Sequence, residues 1–169
     1  GKSTLINALV DYIPKGDSIL CIQESDEIFT NIHPNAYMQH IVRDARGNAI
    51  IGLSELGQNG LVCDSQYFII GEIKGAEARD MLRASNTGHK CWCTVHSQSA
   101  EETIPRLADY VKLGADYSLT EAERMLKDLE VIVYMENFKI REISEIRGYD
   151  EKNKHIIYER IYVKGVNGR

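Results

Sequence analysis

Short apolar runs alternate along the chain with segments in which apolar residues recur at helical spacing. The runs at 18–23, 67–70 and 91–95 are typical of parallel strands that are buried on both faces. The segments at 2–13 and 76–85 carry apolar residues at the spacing of helices that pack on a sheet. The alternation predicts an α/β fold with a mostly parallel central sheet.

The last part of the chain has a different pattern. We expect a helix with Ser99 as its cap and two glutamates in its first turn, where the helix dipole favours them. A second helix is expected from Thr120 to about Leu129. Two β-rich segments follow, at 131–146 and 155–163, and a polar turn joins them. These segments predict one mixed sheet that is parallel at its centre and antiparallel at its late edge.

Composition narrows the class of protein. The 169 residues suit one domain, and 43% hydrophobic with 27% charged residues is ordinary for a soluble globular protein. The net charge of -5 leaves no basic surface, so direct contact with nucleic acid is not expected. No apolar run approaches the roughly 20 residues of a membrane span, which predicts a soluble, cytoplasmic protein. Cys21, Cys63, Cys91 and Cys93 are interpreted as small, mostly core residues.

The first four residues, Gly1-Lys2-Ser3-Thr4, match the end of a phosphate-binding P-loop that opens a helix. In G-x-x-x-x-G-K-[ST], backbone amides and the helix N-terminus hold phosphate oxygens. The lysine neutralises the β- and γ-phosphates, and the hydroxyl binds Mg²⁺. The first five motif positions are missing, so we expect the chain to begin inside the motif.

Polar residues follow the predicted strands. Glu72 comes after the run at 67–70, His96 follows the run at 91–95, and His89 comes just before it. Ligands of open α/β sheets bind at the carboxyl ends of strands, so these three titratable groups are expected to converge on one sheet edge.

An acidic cluster, Gln23-Glu24-Ser25-Asp26-Glu27, follows the run at 18–23. By itself it could be a solvated acidic turn. Its place at a strand's carboxyl end also makes it a candidate for chemistry.

Together these stretches resemble the secretion ATPase superfamily, the hexameric motors of type II and type IV secretion, of type IV and tight-adherence pili, and of conjugation. That family carries a Walker A loop, an acidic Asp box, a Walker B strand ending in Gly-Glu, and a His box after a Thr-Gly-His. GKST, QESDE, GEIKGAEARDML, NTGH and TVHSQSAEE occur here in that order. The resemblance implies a RecA-like P-loop NTPase with a three-layer fold, acting on ATP with Mg²⁺.

The resemblance also implies roles for matching positions. The first four residues would bind the nucleotide, and Ser3 with Glu72 would hold Mg²⁺, partly through water. Glu27 falls on the last glutamate of the Asp box, which is thought to orient or deprotonate the attacking water, and Glu72 on the Walker B glutamate. His96 would be the His-box residue that reads the γ-phosphate, with His89 assisting.

Some positions depart from the family pattern. Gln23 stands in the first acidic position of the Asp box. Relatives carry several arginines ahead of the Walker B strand, and here Arg43 and Arg46 are the nearby candidates for an arginine finger. An N-terminal domain could supply that arginine instead. The turn His33-Pro34-Asn35 resembles one in the tight-adherence pilus branch, which favours that branch.

For the whole protein, the resemblance implies a homohexamer that works with inner-membrane platform or secretion-channel proteins. Residues 1–169 would be its C-terminal motor domain, lying in the cytoplasm at the inner face of the membrane. Membrane association would be peripheral and through partners. Without the N-terminal domain, we expect these residues to be monomeric and nearly inactive, because a ring interface that lacks half its surface does not close.

Three other interpretations remain open. GKSTLINAL also begins many GTPases, and Asp44-Ala45-Arg46-Gly47 matches their D-x-x-G. The guanine-binding motif N/T-K-x-D has no good match, since Asn153-Lys154-His155-Ile156 lacks the aspartate. A nucleoside kinase would explain GKST but not the paired histidines. A non-catalytic nucleotide-binding switch would fit the imperfect Asp box.

Overall fold

A computed structural model describes residues 1–165 of the chain. It divides into two compact units, one of residues 2–94 and one that starts at Val95 and includes Gly1. The elements of the first unit are α1 (Lys2–Val10), β1 (Ile19–Gln23), β2 (Ala36–His40), β3 (Val42–Arg43), β4 (Ala49–Ile51), α2 (Leu53–Gly60), β5 (Tyr67–Ile73), α3 (Glu77–Asn86) and β6 (Lys90–Val95).

The centre of the first unit is a four-stranded sheet with the order β2-β1-β5-β6. β1 pairs in parallel with β2 and with β5, so that Ile19 lies opposite both Ala36 and Tyr67. All five residues of β1 are buried, as an inner strand covered on both faces requires. The carboxyl ends of these strands therefore meet at one edge, which confirms the parallel central sheet predicted from the apolar runs.

The two faces of the sheet are covered by different helices. Side chains alternate along β1, so Ile19 and Cys21 join the core cluster that includes Ile6 and Val10 of α1. Leu20 lies on the other face, against α2. The helix packs so closely there that a Cβ added at Gly60 would lie 2.8 Å from the side chain of Leu20. Helices on both faces of the sheet give the three layers expected for this fold.

The segment between β2 and β5 contains two short strands and a helix. β3 and β4 form an antiparallel hairpin, and α2 follows it. Asp44 organises the hairpin turn, because its carboxylate accepts hydrogen bonds from the N–H of Arg46 and the N–H of Asn48, both 2.8 Å long. The D-x-x-G sequence is therefore a hairpin turn.

The second unit is helical and then antiparallel. Its elements are α4 (Thr103–Leu113), α5 (Leu119–Met125), a 3₁₀ turn (Leu126–Asp128), β7 (Val131–Glu136), β8 (Lys139–Asp150) and β9 (His155–Val163). The strands form a sheet of order β7-β8-β9, with both pairs antiparallel. Ser118 caps α5 by accepting from the N–H of Glu121, whose side chain accepts from the N–H of Ser118 in return.

The antiparallel strands predicted near the C-terminus are confirmed, although they form a separate sheet and not the edge of the parallel one. The helix expected to start after Ser99 starts at Thr103, because Ser99 accepts from the Glu102 N–H within a preceding turn. The strand expected to stop before Gly71 continues to Ile73. Within residues 1–165, every helix is too short or too polar to cross a membrane.

Candidate functional site

The first turn of α1 lies against the loop that follows β1. The Ser3 hydroxyl donates a hydrogen bond of 2.6 Å to the carboxylate of Glu27, whose side chain is exposed. Lys2 lies in the same turn, with Gly1 before it and Thr4 after Ser3. A helix N-terminus leaves backbone N–H groups without intrahelical partners. This point therefore combines anion-binding amides, a hydroxyl and a carboxylate.

Two carboxamide side chains hold the loop that carries Glu27. Gln23 accepts hydrogen bonds from the N–H groups of Glu27 (3.1 Å) and Ile28 (2.9 Å) and donates to the Ile28 carbonyl (2.9 Å). Asn7, on α1, donates to the Glu27 carbonyl (2.8 Å) and accepts from the Phe29 N–H (3.1 Å). The position of Glu27 is thus fixed from the sheet and from the helix.

A charged cluster lies between the same loop and the end of β5. The ammonium of Lys74 is 2.8 Å from Glu72 and 3.1 Å from Glu24, and Arg43 lies 2.6 Å from the other oxygen of Glu24. Hydrogen bonds first with Glu72 and then with Glu24 raise the pKa of Lys74. The hydrogen bond from Lys74 is in turn the main reason that the pKa of Glu24 is lowered. Glu24 and Glu72 therefore share one cation.

The two candidate arginines have different surroundings. Arg43 donates to Glu24 and, with its other terminal nitrogen, to the Gly47 carbonyl at 2.9 Å. Arg46 is exposed in the turn between β3 and β4. Arg43 is consequently engaged with the acidic loop of its own chain.

A histidine that the sequence did not single out also contacts the acidic loop. His40 ends β2, and its Nε2 lies 2.6 Å from the carboxylate of Asp26. The pairing follows from the topology, because β2 runs beside β1 and both strands end at the same edge.

Gly71 allows the last part of β5 to approach β1 closely. A Cβ at Gly71 would lie 2.9 Å from the Cβ of Gln23, which is closer than real Cβ contacts. The Gly71 carbonyl accepts a hydrogen bond of 2.6 Å from the hydroxyl of Thr94, on β6. Gly71, the residue before Glu72, thus packs against Gln23, which holds the acidic loop.

The two histidines around β6 lie at its opposite ends. His89 precedes the strand, and its Nδ1 is 2.5 Å from the Ser65 carbonyl, at the amino edge of the sheet. The expectation that His89 joins Glu72 at the carboxyl edge is wrong, because a residue before a parallel strand lies at the amino edge. His96 directly follows β6 and belongs to the second unit.

The oxygen ligands near α1 suit a hard cation such as Mg²⁺, which prefers hydroxyl, carboxylate, phosphate and water. Among residues 1–165, no group of three or more His, Cys, Asp or Glu side chains could hold a metal ion by itself.

The sequence model described as "Type II/IV secretion system protein" matches residues 1–133. The type IV secretion system protein VirB11 of Brucella suis is 29% identical over 168 residues, covering 93% of this chain and 46% of that protein. The chain spans about half the length of the curated relatives it matches. These relatives do not confirm the tight-adherence branch favoured from His33-Pro34-Asn35.

Solved structures agree with the sequence matches. The VirB11 ATPase from the Brucella suis type IV secretion system, in complex with sulphate, has a TM-score of 0.75 at 25% identity, covering 85% of this chain and 45% of that one. The pilus retraction motor PilT with bound ADP has a TM-score of 0.60 at 22% identity, covering 95% and 43%, and shows likeness of fold. The chain, matched over most of its length, belongs to the type II/IV secretion ATPase superfamily.

Proposed function

We propose that this chain is the ATP-hydrolysing domain of a secretion-type motor. The observation that carries the proposal is the 2.6 Å hydrogen bond from Ser3 to Glu27. It joins the hydroxyl of the phosphate-loop sequence to the candidate base. A helix N-terminus for phosphate and a carboxylate beside it are the parts needed to transfer a phosphoryl group to water. The VirB11 relative described as an ATPase and the ADP bound by PilT support a nucleotide here.

In the proposed reaction, the oxygen of a water molecule attacks the γ-phosphorus of ATP. Glu27 takes a proton from that water, and the bond from the γ-phosphorus to its bridging oxygen breaks, so that ADP leaves. Lys2, in the first turn of α1, neutralises the charge of the phosphates. The backbone amides of that turn, together with Gly1 and Thr4, bind the phosphate oxygens. The site is built to position charges, as phosphoryl transfer requires.

Mg²⁺ would be held by Ser3, and by Glu72 partly through water. When bound, the ion neutralises charge on the transferred phosphoryl group. The ammonium of Lys74 lies 2.8 Å from the Glu72 carboxylate and places a positive charge beside it. Glu27, in contrast, lies beside Ser3, which favours Glu27 over Glu72 as the base.

His96 would read the γ-phosphate and link nucleotide state to subunit movement. Arg46 is the better placed of the two arginines to act on a neighbouring subunit, because it is exposed whereas Arg43 is bound to Glu24. His89 has no part in this proposal, since it lies at the amino edge.

The whole protein would be a homohexamer with an N-terminal domain, acting at the inner face of the membrane on platform or channel proteins. Its work would be secretion, pilus assembly or conjugative transfer, driven by motion of the ring. The 169-residue chain alone would be monomeric and nearly inactive. Light scattering with and without ATP tests this: a stable, rapidly hydrolysing hexamer of this chain would contradict it.

Three variants of the full-length protein test the site. Lys2→Ala should abolish nucleotide binding, because the phosphates lose their counter-charge. Glu27→Gln should bind ATP yet hydrolyse it at least about 100-fold more slowly, the typical contribution of a general base. Glu72→Gln should bind ATP and fail to hydrolyse it, because the carboxylate proposed to hold Mg²⁺ is lost. Binding is measured with a fluorescent ATP analogue and turnover by phosphate release. Wild-type turnover in Glu27→Gln would refute its role as the base.

Comparing ATP with GTP separates the proposal from the two main alternatives. The GTPase interpretation used Asp44 of D-x-x-G, whose oxygens are engaged within the hairpin turn. We therefore expect faster turnover of ATP than of GTP. Faster turnover of GTP would favour the GTPase, and binding without turnover of either would favour a non-catalytic switch.

A further inference from the structure

The backbone around Glu27 takes no part in a helix or a strand, yet Ile28 is buried in the core with 1% of its surface exposed. Buried backbone N–H and C=O groups need hydrogen-bond partners. The carboxamide of Gln23 provides them for Ile28, accepting from its N–H and donating to its carbonyl. The same carboxamide oxygen accepts from the N–H of Glu27.

Gln23 is itself rigidly held. It is the last residue of β1, is 2% exposed, and has Gly71 of the neighbouring strand packed against its Cβ. Its side chain therefore acts as a fixed link from the central sheet to the loop. Glu24 and Asp26 tie the same loop to Lys74 and His40, but those pairs are exposed and contribute little positional precision.

We propose that Gln23 is a positioning residue that sets the place of Glu27 at the phosphate site through the backbone of Glu27 and Ile28. The inference rests on the proposed role of Glu27 as the base. It also gives a reason for glutamine in the first acidic position of the Asp box. A carboxamide donates and accepts at once, whereas an ionised carboxylate only accepts and would face the Ile28 carbonyl with like charge.

Two substitutions separate positioning from simple packing. Gln23→Met keeps the approximate volume and removes the hydrogen bonds. In the full-length protein, we expect kcat to fall about 10- to 100-fold with KM for ATP within about 3-fold of wild type, because a misplaced base slows the chemistry and not the binding of phosphate. Hydrogen exchange of the Glu27 and Ile28 amides should become faster, which is a readout independent of turnover.

Gln23→Glu makes the prediction pH-dependent. Burial raises the pKa of a carboxyl, and the protonated form has one donor and one acceptor, like the carboxamide. The ratio of variant to wild-type kcat should therefore approach one at about pH 6 and fall at least tenfold by about pH 9. This ratio also decides the matter if Gln23→Met fails to fold.

Gln66→Glu is the matched control at the opposite edge of the sheet. Gln66 accepts from the Ser18 N–H and hydroxyl, both at 2.6 Å, and a carboxylate accepts equally well, so its kcat ratio should not change with pH. A flat, near-unity ratio for Gln23→Glu, or a Gln23→Met variant with wild-type kcat, would overturn the inference. Glu27→Gln is measured in parallel and tests the proposed function separately. Wild-type turnover in that variant would show that Glu27 is not the base.

Discussion

Replacing Gly71 by alanine places a methyl group where the structure has no room for it. The added Cβ would lie 2.9 Å from the Cβ of Gln23, whereas ordinary contact begins at 3.4 Å, so about 0.5 Å of movement is needed. The neighbouring atoms at 3.5 Å are the Cα of Gln23 and the Ile22 carbonyl, which belong to a buried strand backbone. Such overpacking costs about 1–3 kcal/mol, because the strand cannot rotate away as a flexible side chain would.

For a chain of this size, that cost lowers the melting temperature by about 2–12 °C, at roughly 2–4 °C per kcal/mol. The displacement falls on Gln23, so kcat should drop about tenfold or more while ATP still binds. Differential scanning fluorimetry of the 169-residue chain measures the first effect, and steady-state kinetics of the full-length protein measure the second. Gly16→Ala is the control, because nothing lies within 4 Å of the added Cβ. Unchanged melting and kcat in Gly71→Ala would refute the claim that β5 presses on Gln23.

Three further predictions concern ionisable groups. Asp80 is fully buried and its pKa is raised mainly by burial, so Asp80→Asn should raise the melting temperature at about pH 7 but not at about pH 3, where the acid is protonated. Lys74→Met should raise the pKa of Glu24 toward its ordinary value, seen by NMR titration, while Lys90→Met should not. Because a lowered carboxyl pKa stabilises the fold above the unfolded pKa and not below it, Lys74→Met should destabilise more at about pH 7 than at about pH 3. Cys63 should react first with a thiol reagent, since it is exposed and burial raises the pKa of Cys21, Cys91 and Cys93 to about 12.

The sequence predicted β1 and β5 because their apolar runs are buried, and burial on both faces leaves a clear pattern. The run at 91–95 also forms a strand, but β6 is an edge strand and is only partly buried. Glu27 was assigned to the nucleotide site through the family resemblance alone, and in the structure its carboxylate accepts a hydrogen bond from Ser3. The prediction for His89 was wrong. His89 and His96 were expected to lie at the same edge of the sheet, but they flank β6 and the length of that strand separates them.

Other site residues had weak signals. Asn7 lies one helical turn after Ser3 and therefore on the same face of α1, which could have indicated it. The contacts of Lys74 and His40 with the acidic loop could not be predicted without the strand order. In that order β2 and β5 lie on either side of β1, which brings both residues to the loop. The strands β3 and β4 and the helix α2 were not predicted. β3 has two residues and β4 has three, and strands that short show almost no periodic pattern.

The strand order has a consequence for how the chain folds. β1 pairs with β5 through residues as far apart as Ile19 and Tyr67, 48 positions along the chain (67 − 19). β7 and β8, in contrast, are joined by the two-residue turn Asn137-Phe138. Closing a long loop costs entropy before any contact compensates for it, so non-local parallel pairing is slow. We expect amides of the C-terminal hairpins to gain protection first during refolding. The loop of Glu27 would be ordered late. A newly made chain would therefore contain its C-terminal hairpins before it could act on a nucleotide.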